Sequence, residues 1–464
     1  MMTYFFRKIK KISLVLGDLA ILYLSLWLTL VLRYGLTEAS PWWAQHFWPF
    51  SFVYLVWIII FFISRLYELG QAENNAKIAA SLLKVSLINA ILAMAFFYFI
   101  PNVGIAPKRV LFLNIAIAAV LFFIWRLIYN RFVRSSLLLN NLLIIGLNDQ
   151  VIELVQKIAK KPQLGYKLIA VIDSDNQKMA EQLPAEVEKI NFDLVNLNLS
   201  QILRDKKIKT VVTALDHHQN PELVRQLYQN LSAKINFLDL PHFYEKLTGK
   251  IPVNFIGEVW FLENLAESEK IIYEIIKRLM DIVLAILAGL LSLIFIPFIV
   301  LAIKIDGPGP ILFKQYRIGK DGKLFQALKF RTMHKDAEKN GPQWAMKFDP
   351  RITRVGRFLR KTRLDEIPQF LNILLGEMSF VGPRPEQAEF IEMLEREIPF
   401  YRQRLLARPG LSGWAQINFP YGASVKDALE KLQYDLFYIK NRSLLLDLTI
   451  ILKTINIVLR ALGR

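Results

Sequence analysis

The 464-residue chain contains no cysteine, which excludes disulfides, thiolate metal sites, iron–sulfur clusters and cysteine nucleophiles. Histidine is almost as scarce: His46, His217, His218, His242 and His334 are the full set, and none has zinc-ligand spacing. Internal repeats and low-complexity tracts are absent. Acidic residues are in deficit, with 40 Asp and Glu against 58 Lys and Arg. The resulting +18 points to an anionic partner: a phosphate-bearing substrate, an acidic lipid or nucleic acid. Apolar residues are plentiful, at 54% with a mean hydropathy of +0.32, which indicates a membrane-associated class. Charged residues still make up 21%, too many for a chain of transmembrane helices alone. The chemistry must rest on carboxylates, basic side chains and backbone. At roughly 150 residues per domain, the length suggests about three domains.

Residues 1–135 read as membrane. Charge-free apolar stretches cover 19–32, 47–64, 85–100 and 110–125. With their flanks each reaches about 20 residues, enough for a ~30 Å hydrocarbon core. No small-residue cleavage site follows the first stretch, so the start is expected to be an anchor rather than a signal peptide. Arg7, Lys8, Lys10 and Lys11 precede the first span, and Arg126, Arg131 and Arg134 follow the fourth. Basic flanks stay cytoplasmic, so four spans form two hairpins with both ends inside. Arg65 and Lys77 agree with this topology; Arg33, Lys108 and Arg109 oppose it. Asp18 and Lys84, within or beside spans, are expected to make polar contacts inside the bundle.

Residues 136–256 read as a soluble α/β module. Short apolar runs at 142–145, 168–172, 210–212 and 235–238 alternate with helical stretches, as in right-handed βαβ units around a parallel sheet. The first run ends at Gly146 and the second at Asp173, where a dinucleotide fold keeps its ribose-binding acid. Asn148 and Val151, however, occupy the second and third glycine positions of the fingerprint. Backbone there cannot approach a pyrophosphate closely, which favours a Rossmann-like packing or regulatory module.

After a linker at 257–270, residues 271–464 carry the chemistry. Residues 282–303 are free of charge and long enough to span a membrane. Yet Lys277 and Arg278 before them, and Lys304, Lys314 and Arg317 after them, both favour the cytoplasmic face. Pro297, with Ser292 five residues earlier, predicts a sharp bend. A helix–break–helix at about 279–304 that dips into one leaflet and returns satisfies both observations; the alternative is a kinked spanning helix. Near the end, Asp447, Lys453, Asn456 and Arg460 share one helical stripe, with Leu and Ile elsewhere. That pattern suits an interfacial helix in the headgroup plane, or one packed on the domain's own core.

Five elements between 306 and 418 stand out. Lys329 and Arg331, two apart on a predicted strand, project from one face and suit a diphosphate. Six of the thirteen residues 351–363, ending at Arg363, are basic and interleaved with Ile352, Val355, Phe358 and Leu359. One face is therefore buried and the other cationic, suited to lipid or nucleotide phosphate. No recognised nucleic-acid fold is present. Asp365 and Glu366 follow, and Pro368 places them at a helix start, where partial positive charge favours an ionised carboxylate and attracts phosphate. Arg384 is bracketed by Pro383 and Pro385, which rigidify it as a phosphate clamp. Arg408-Pro409-Gly410-Leu411-Ser412-Gly413-Trp414 offers a cation, close backbone approach and a ring that could stack on a base or pack in the core.

The ordered runs Lys329-Phe330-Arg331-Thr332-Met333, Leu364-Asp365-Glu366-Ile367-Pro368-Gln369, Val381-Gly382-Pro383-Arg384-Pro385 and 408–414 resemble the bacterial sugar transferase family, the monotopic phosphoglycosyl transferases. Lys277-Arg278-Leu279-Met280-Asp281 and the hairpin with Pro297 are similar to that family's re-entrant membrane helix. The bundle and the Rossmann-like module resemble its large polyprenyl-phosphate hexose-1-phosphate transferase branch. The resemblance implies a multi-domain membrane protein: a four-helix transmembrane bundle, a Rossmann-like α/β domain, and an α/β catalytic domain with a re-entrant hairpin and interfacial amphipathic helices. It implies transfer of a sugar-1-phosphate from a UDP-sugar to undecaprenyl phosphate on the cytoplasmic face of the inner membrane, releasing UMP. The products would start exopolysaccharide, capsule or O-antigen assembly. Asp365 would be nucleophile and Mg²⁺ ligand, with Glu366 supporting it by orienting Asp365 or contacting metal or acceptor. Lys329, Arg331, Arg363, Arg384 and Arg408 are candidate substrate contacts, and a homodimer is expected by family analogy.

Overall fold

Four long helices open the chain: α1 (Met2–Tyr34), α2 (Ala39–Ile63), α3 (Ala76–Phe99) and α4 (Lys108–Val133). Each holds a window long and apolar enough to cross a membrane, in the order expected from the sequence. The computed structural model describes residues 2–68, 76–100, 108–133, 139–173, 181–191, 198–215, 220–230, 235–265, 270–334, 337, 349–419, 422 and 424–459. The side chains of Arg7, Lys8, Lys77 and Lys108, and the whole of Arg134 and Arg460, lie outside the described residues. The chain divides into two units, 1–247 and 248–464.

Leu22, Leu26, Phe50, Trp57, Phe61 and Phe122 fill the centre of the four-helix bundle. Leu83, Phe112 and Val120 face outward, as expected where lipid is the solvent. A Cβ on Gly17 would lie 2.1 Å from the Trp125 ring, so glycine is what lets α1 and α4 approach so closely there. Asp18 makes the expected internal contact: Arg126 Nη2 donates to its carboxylate at 2.6 Å, with both side chains buried. Arg126 also donates to the Leu66 carbonyl, tying α1 and α4 to the end of α2. Lys84 does not join this interior; it is exposed on α3.

The same unit continues as β1 (Asn140–Ile145), α5 (Asp149–Lys160), β2 (Tyr166–Asp173), β3 (Glu188–Asn191), α6 (Leu199–Asp205), β4 (Thr210–Thr213), α7 (Pro221–Gln229), β5 (Asn236–Asp239) and α8 (Leu240–Thr248). The sheet order is β3-β2-β1-β4-β5 and every pair is parallel, as the alternating pattern implies. Central β1 is buried on both faces: Leu142 and Ile144 enter one core, Leu143 and Ile145 the other. β3 was not legible, because its sequence Glu-Lys-Ile-Asn forms a polar edge paired only with β2.

The second unit holds α9 (Glu258–Asn264), α10 (Ile271–Ser292), α11 (Ile296–Ile305), β6 (Leu312–Ile318), β7 (Leu324–Phe330), α12 (Arg354–Thr362), α13 (Gln369–Leu375), β8 (Ser379–Val381), α14 (Ala388–Glu397), β9 (Gly410–Ser412), α15 (Trp414–Asn418), α16 (Val425–Asn441) and α17 (Leu444–Leu459). Its boundary corrects the expected linker at 257–270. Ile251, Val253, Ile256 and Leu265 are buried with Leu432, Leu436 and Ile450, and Trp260 and Phe261 of α9 pack on the same core.

The chain bends by 61° between α10 and α11, across a break at 293–295. Pro297 is the second residue of α11, inside its first turn, where a missing N–H costs nothing; the break lies just before it. The first half of α10 is anchored by polar contacts. Tyr273 and Lys277 donate to Asp447 at 2.8 and 2.9 Å, and Ser379 Oγ and Phe380 N donate to Asp281. Past Asp281, Val283, Leu287, Leu290 and Leu291 are exposed. Of the two readings offered for α17, the structure agrees with packing on the domain's own core. Its Asp447 and Asn456 are buried against the protein, and Leu445 and Leu448 are the residues that face outward.

Candidate active site

β6 and β7 form an antiparallel hairpin that carries Lys329 near its end. Arg331 lies one residue beyond the strand. Its guanidinium instead donates to the carbonyls of Ile303, Gly307 and Pro308 at 3.0, 2.6 and 2.6 Å, capping α11. The predicted pairing of Lys329 with Arg331 is therefore overturned.

Thr353 caps α12 by accepting from Gly356 N at 3.0 Å. A Cβ on Gly356 would sit 2.0 Å from the Thr332 carbonyl oxygen, so only glycine permits this helix–strand contact. α12 ends at Arg363, whose φ of 60° is left-handed and reverses the chain into a tight turn, Leu364–Glu366. Pro368 then caps α13 rather than entering it, so the two acids stand on the turn before the helix.

The two acids are treated in opposite ways. Glu366 Oε1 accepts from Lys329 Nζ at 3.3 Å and Arg384 Nη2 at 3.1 Å, and Oε2 accepts from Arg363 Nη1 at 3.3 Å. Burial pushes its pKa up, but Lys329, Arg384 and Arg363 outweigh burial and hold it well below the usual carboxylate range. Asp365 is 7% exposed and has no hydrogen bond or ion pair among the described residues. Burial first, and the neighbouring Glu366 charge second, raise its pKa; Lys329, Arg360 and Arg384 offset this only in part. Glu366 is thus the fixed counterion of the site, and Asp365 is the carboxylate left available.

The loop bearing Arg384 is held rigid. Buried Arg404 donates to the Arg384 carbonyl at 3.1 Å and to Asp435 at 2.9 Å, and Arg317 donates to the Pro385 carbonyl at 3.0 Å. Arg384 therefore presents its half-exposed guanidinium from a fixed base. Arg408 is not brought to the acids; it lies 3.8 Å from Glu274 of α10. Trp414 stacks on Phe437 at 5.6 Å and donates to the Gly249 carbonyl, which settles it as a core residue.

Sequence reasoning did not single out Arg360 or Asn372. Arg360 donates to Thr332 Oγ1 at 2.8 Å and adds positive charge beside Asp365. Asn372 clamps α13 to β7, accepting from Leu328 N at 3.0 Å and donating to the Gln326 carbonyl at 2.7 Å. An amide inside the apolar run Phe370-Leu371-Asn372-Ile373-Leu374 is the signal that could have found it.

Among the described residues no group of three His, Cys, Asp or Glu could hold a metal ion. A Mg²⁺ ion bound through one carboxylate and completed by substrate phosphates and water would need no such group. The unpaired Asp365 is the residue that fits this ligand role.

The family model described as bacterial sugar transferase matches residues 272–461. Over 232 residues the chain is 44% identical to the UDP-N-acetylgalactosamine-undecaprenyl-phosphate N-acetylgalactosaminephosphotransferase of Aeromonas hydrophila, covering 50% of this chain and 54% of that protein. Over 185 residues it is 43% identical to the UDP-glucose:undecaprenyl-phosphate glucose-1-phosphate transferase of Escherichia coli, covering 39% of each. The chain thus spans about half the length of the first relative and less of the second. An uncharacterized sugar transferase of Haemophilus influenzae is 30% identical over 370 residues, 75% of each chain. With that match running well beyond the acidic turn and its cations, the chain belongs to the bacterial sugar transferase family.

Proposed function

We propose that the protein transfers a hexose-1-phosphate from a UDP-sugar to undecaprenyl phosphate through a covalent intermediate on Asp365. The observation that carries this reading is a buried carboxylate without a protein partner beside one neutralised by three cations. Phosphoryl transfer asks a protein for little besides a positioned nucleophile and positive charge around the phosphorus. An Asp365 carboxylate oxygen attacks the sugar-linked phosphorus of the UDP-sugar. The bond from that phosphorus to the bridging oxygen breaks, and UMP leaves with the electron pair. A phosphate oxygen of undecaprenyl phosphate then attacks the same phosphorus, restoring the Asp365 carboxylate and leaving undecaprenyl-diphosphate-sugar. Lys329 and Arg384 bind diphosphate oxygens, and Glu366 keeps both cations in register between turnovers. Asp365 would hold a Mg²⁺ ion, which would supply further neutralisation of phosphate charge.

The α10–α11 hairpin supports a site at the bilayer surface. Beyond Asp281 lie 11 residues of α10, about 16 Å, and α11 adds about 15 Å after the 61° bend. Neither arm alone crosses a ~30 Å core, and the basic residues on both flanks favour a pair that enters and leaves by the same face. Both soluble parts then lie on the cytoplasmic face, where nucleotide sugars are made, and the lipid product starts polysaccharide assembly.

The test uses the full chain with UDP-sugar and no acceptor lipid. UDP-N-acetylgalactosamine and UDP-glucose, the donors in the relatives' names, come first. The expected result is one equivalent of UMP released and a hexosyl-phosphate adduct at Asp365 by mass spectrometry, both lost in Asp365→Asn. Lipid product accumulating from the wild type with no adduct at that position would overturn the mechanism.

A further inference from the structure

Glu366 divides the cations into two groups. Lys329 and Arg384 meet one oxygen, and Arg363 meets the other. The two groups belong to different surroundings. Arg384 is anchored through Arg404 and Arg317 to the globular core. Arg363 closes α12, whose Val355 and Leu359 pack with Leu364 and Ile367 against Ile299 and Ile303 of α11. α12 is therefore braced on the returning arm of the membrane hairpin. Its outer face carries the exposed cations Arg354, Arg357 and Lys361 around Phe358, which is 60% exposed. Positions 354, 357, 358 and 361 recur at helical spacing and form one stripe. Leu371 and Leu375 of α13 are also exposed, giving apolar surface on both elements that flank the acidic turn. A phosphate ligand also has a donor waiting: Arg363 Nε is buried and has no hydrogen-bond partner.

Phosphate-binding cations interleaved with exposed apolar side chains, beside a membrane-dipping arm, match a ligand with an anionic head and a lipid tail. A nucleotide sugar has no use for the apolar part. We propose that the outer face of α12 with Arg363 is the docking site of the polyprenyl phosphate acceptor, with Lys329 and Arg384 left to the donor diphosphate. This inference rests on the two-step function above and divides its site into two approaches. Acceptor phosphate reaches the site along the α11 side. UMP leaves first, which frees the position opposite Asp365 from which the acceptor oxygen attacks the intermediate in line, so the two substrates need not be bound at the same time.

The experiment separates the half-reactions. UMP release without acceptor reads the donor side; transfer from preformed adduct to polyprenyl phosphate reads the acceptor side. Arg357→Gln and Phe358→Ser alter exposed side chains and spare the packed face of α12. Each is expected to raise the KM for polyprenyl phosphate about fivefold while UMP release keeps its rate and amplitude. Arg384→Gln is expected to slow UMP release. For the head alone, a short water-soluble isoprenyl phosphate should still feel Arg357→Gln but not Phe358→Ser. Equal losses in both half-reactions, or an unchanged acceptor KM in both variants, would overturn the assignment. If wild type released no UMP without acceptor, the covalent mechanism would fall, while the acceptor KM of the variants in steady state would still decide this one.

Discussion

The middle module and the catalytic domain each place an acidic residue where a chain reversal meets a helix start, with opposite outcomes. In the module, Leu147 N donates to Asp173 Oδ1 at 3.2 Å, and Asn148 Oδ1 accepts from Val151 N at 2.9 Å. The acid and the start of α5 satisfy each other locally, and Val151 is buried in the core. In the catalytic domain the turn keeps Glu366 fully paired and leaves Asp365 with nothing among the described residues. A buried carboxylate without partners costs stability, and such a cost persists where the surroundings enforce it for a reaction. The comparison locates function by what is left unsatisfied, since both regions contain an acid.

The sharpest way to break the contrast is to remove the paired acid instead of the free one. Glu366→Gln leaves Lys329, Arg363 and Arg384 without their common anion. The expected loss in kcat is roughly 10²–10³-fold, because the phosphate-binding cations lose their fixed positions. Stability should fall by on the order of 2 kcal/mol, moderated because the Arg384 side chain is 42% exposed. Steady-state kinetics and thermal unfolding in detergent check both. A variant with wild-type kcat would show that Glu366 does not organise the site.

A subtler break uses pH. The folded-state pKa of Asp365 is raised above its unfolded value of about 3.9 by burial and by Glu366. Ionisation therefore penalises the folded state at pH above the raised pKa, and the penalty vanishes once pH falls below the unfolded value. Asp365→Asn removes the penalty. Without metal or nucleotide it should unfold at higher temperature than wild type at pH 8, by on the order of 1 kcal/mol, and the gap should close toward pH 4. An Asn variant no more stable than wild type at pH 8 would show that Asp365 has a stabilising partner after all.

Much of this was legible in the sequence because the responsible signals are local. Apolar length gave the four helices, alternation of short runs gave the parallel sheet, and Pro297 gave the bend between α10 and α11. The failures involve contacts that a linear pattern does not encode. Lys329 and Arg331 look equivalent two residues apart, but the strand ends at Phe330 and the carbonyls closing α11 capture Arg331. Arg408 looks like a second clamp, yet it lies near Glu274, more than a hundred residues earlier. The stripe of α17 suits either a headgroup-plane helix or one packed on the core, and Lys277 with two tyrosines decides for the core by holding Asp447 inward. β3 is too polar to announce itself.

The smallest expected effect tests the other side of the comparison. Asn148→Ala removes the side chain that satisfies Val151 N, leaving the start of α5 with one more free donor. Loss of such a cap costs about 1 kcal/mol, so the module should unfold slightly earlier. Freed N–H groups at a helix start are the raw material of an anion site. They do not suffice for a dinucleotide, because Val151 remains packed in the core where a glycine would be needed for close backbone approach. The variant should therefore transfer sugar phosphate with wild-type kcat and KM, and calorimetric titration with UDP-sugar should give the wild-type stoichiometry. A changed KM for the donor would mean that this module senses nucleotide, and the local satisfaction of Asp173 and Asn148 would then be a closed state instead of a finished one.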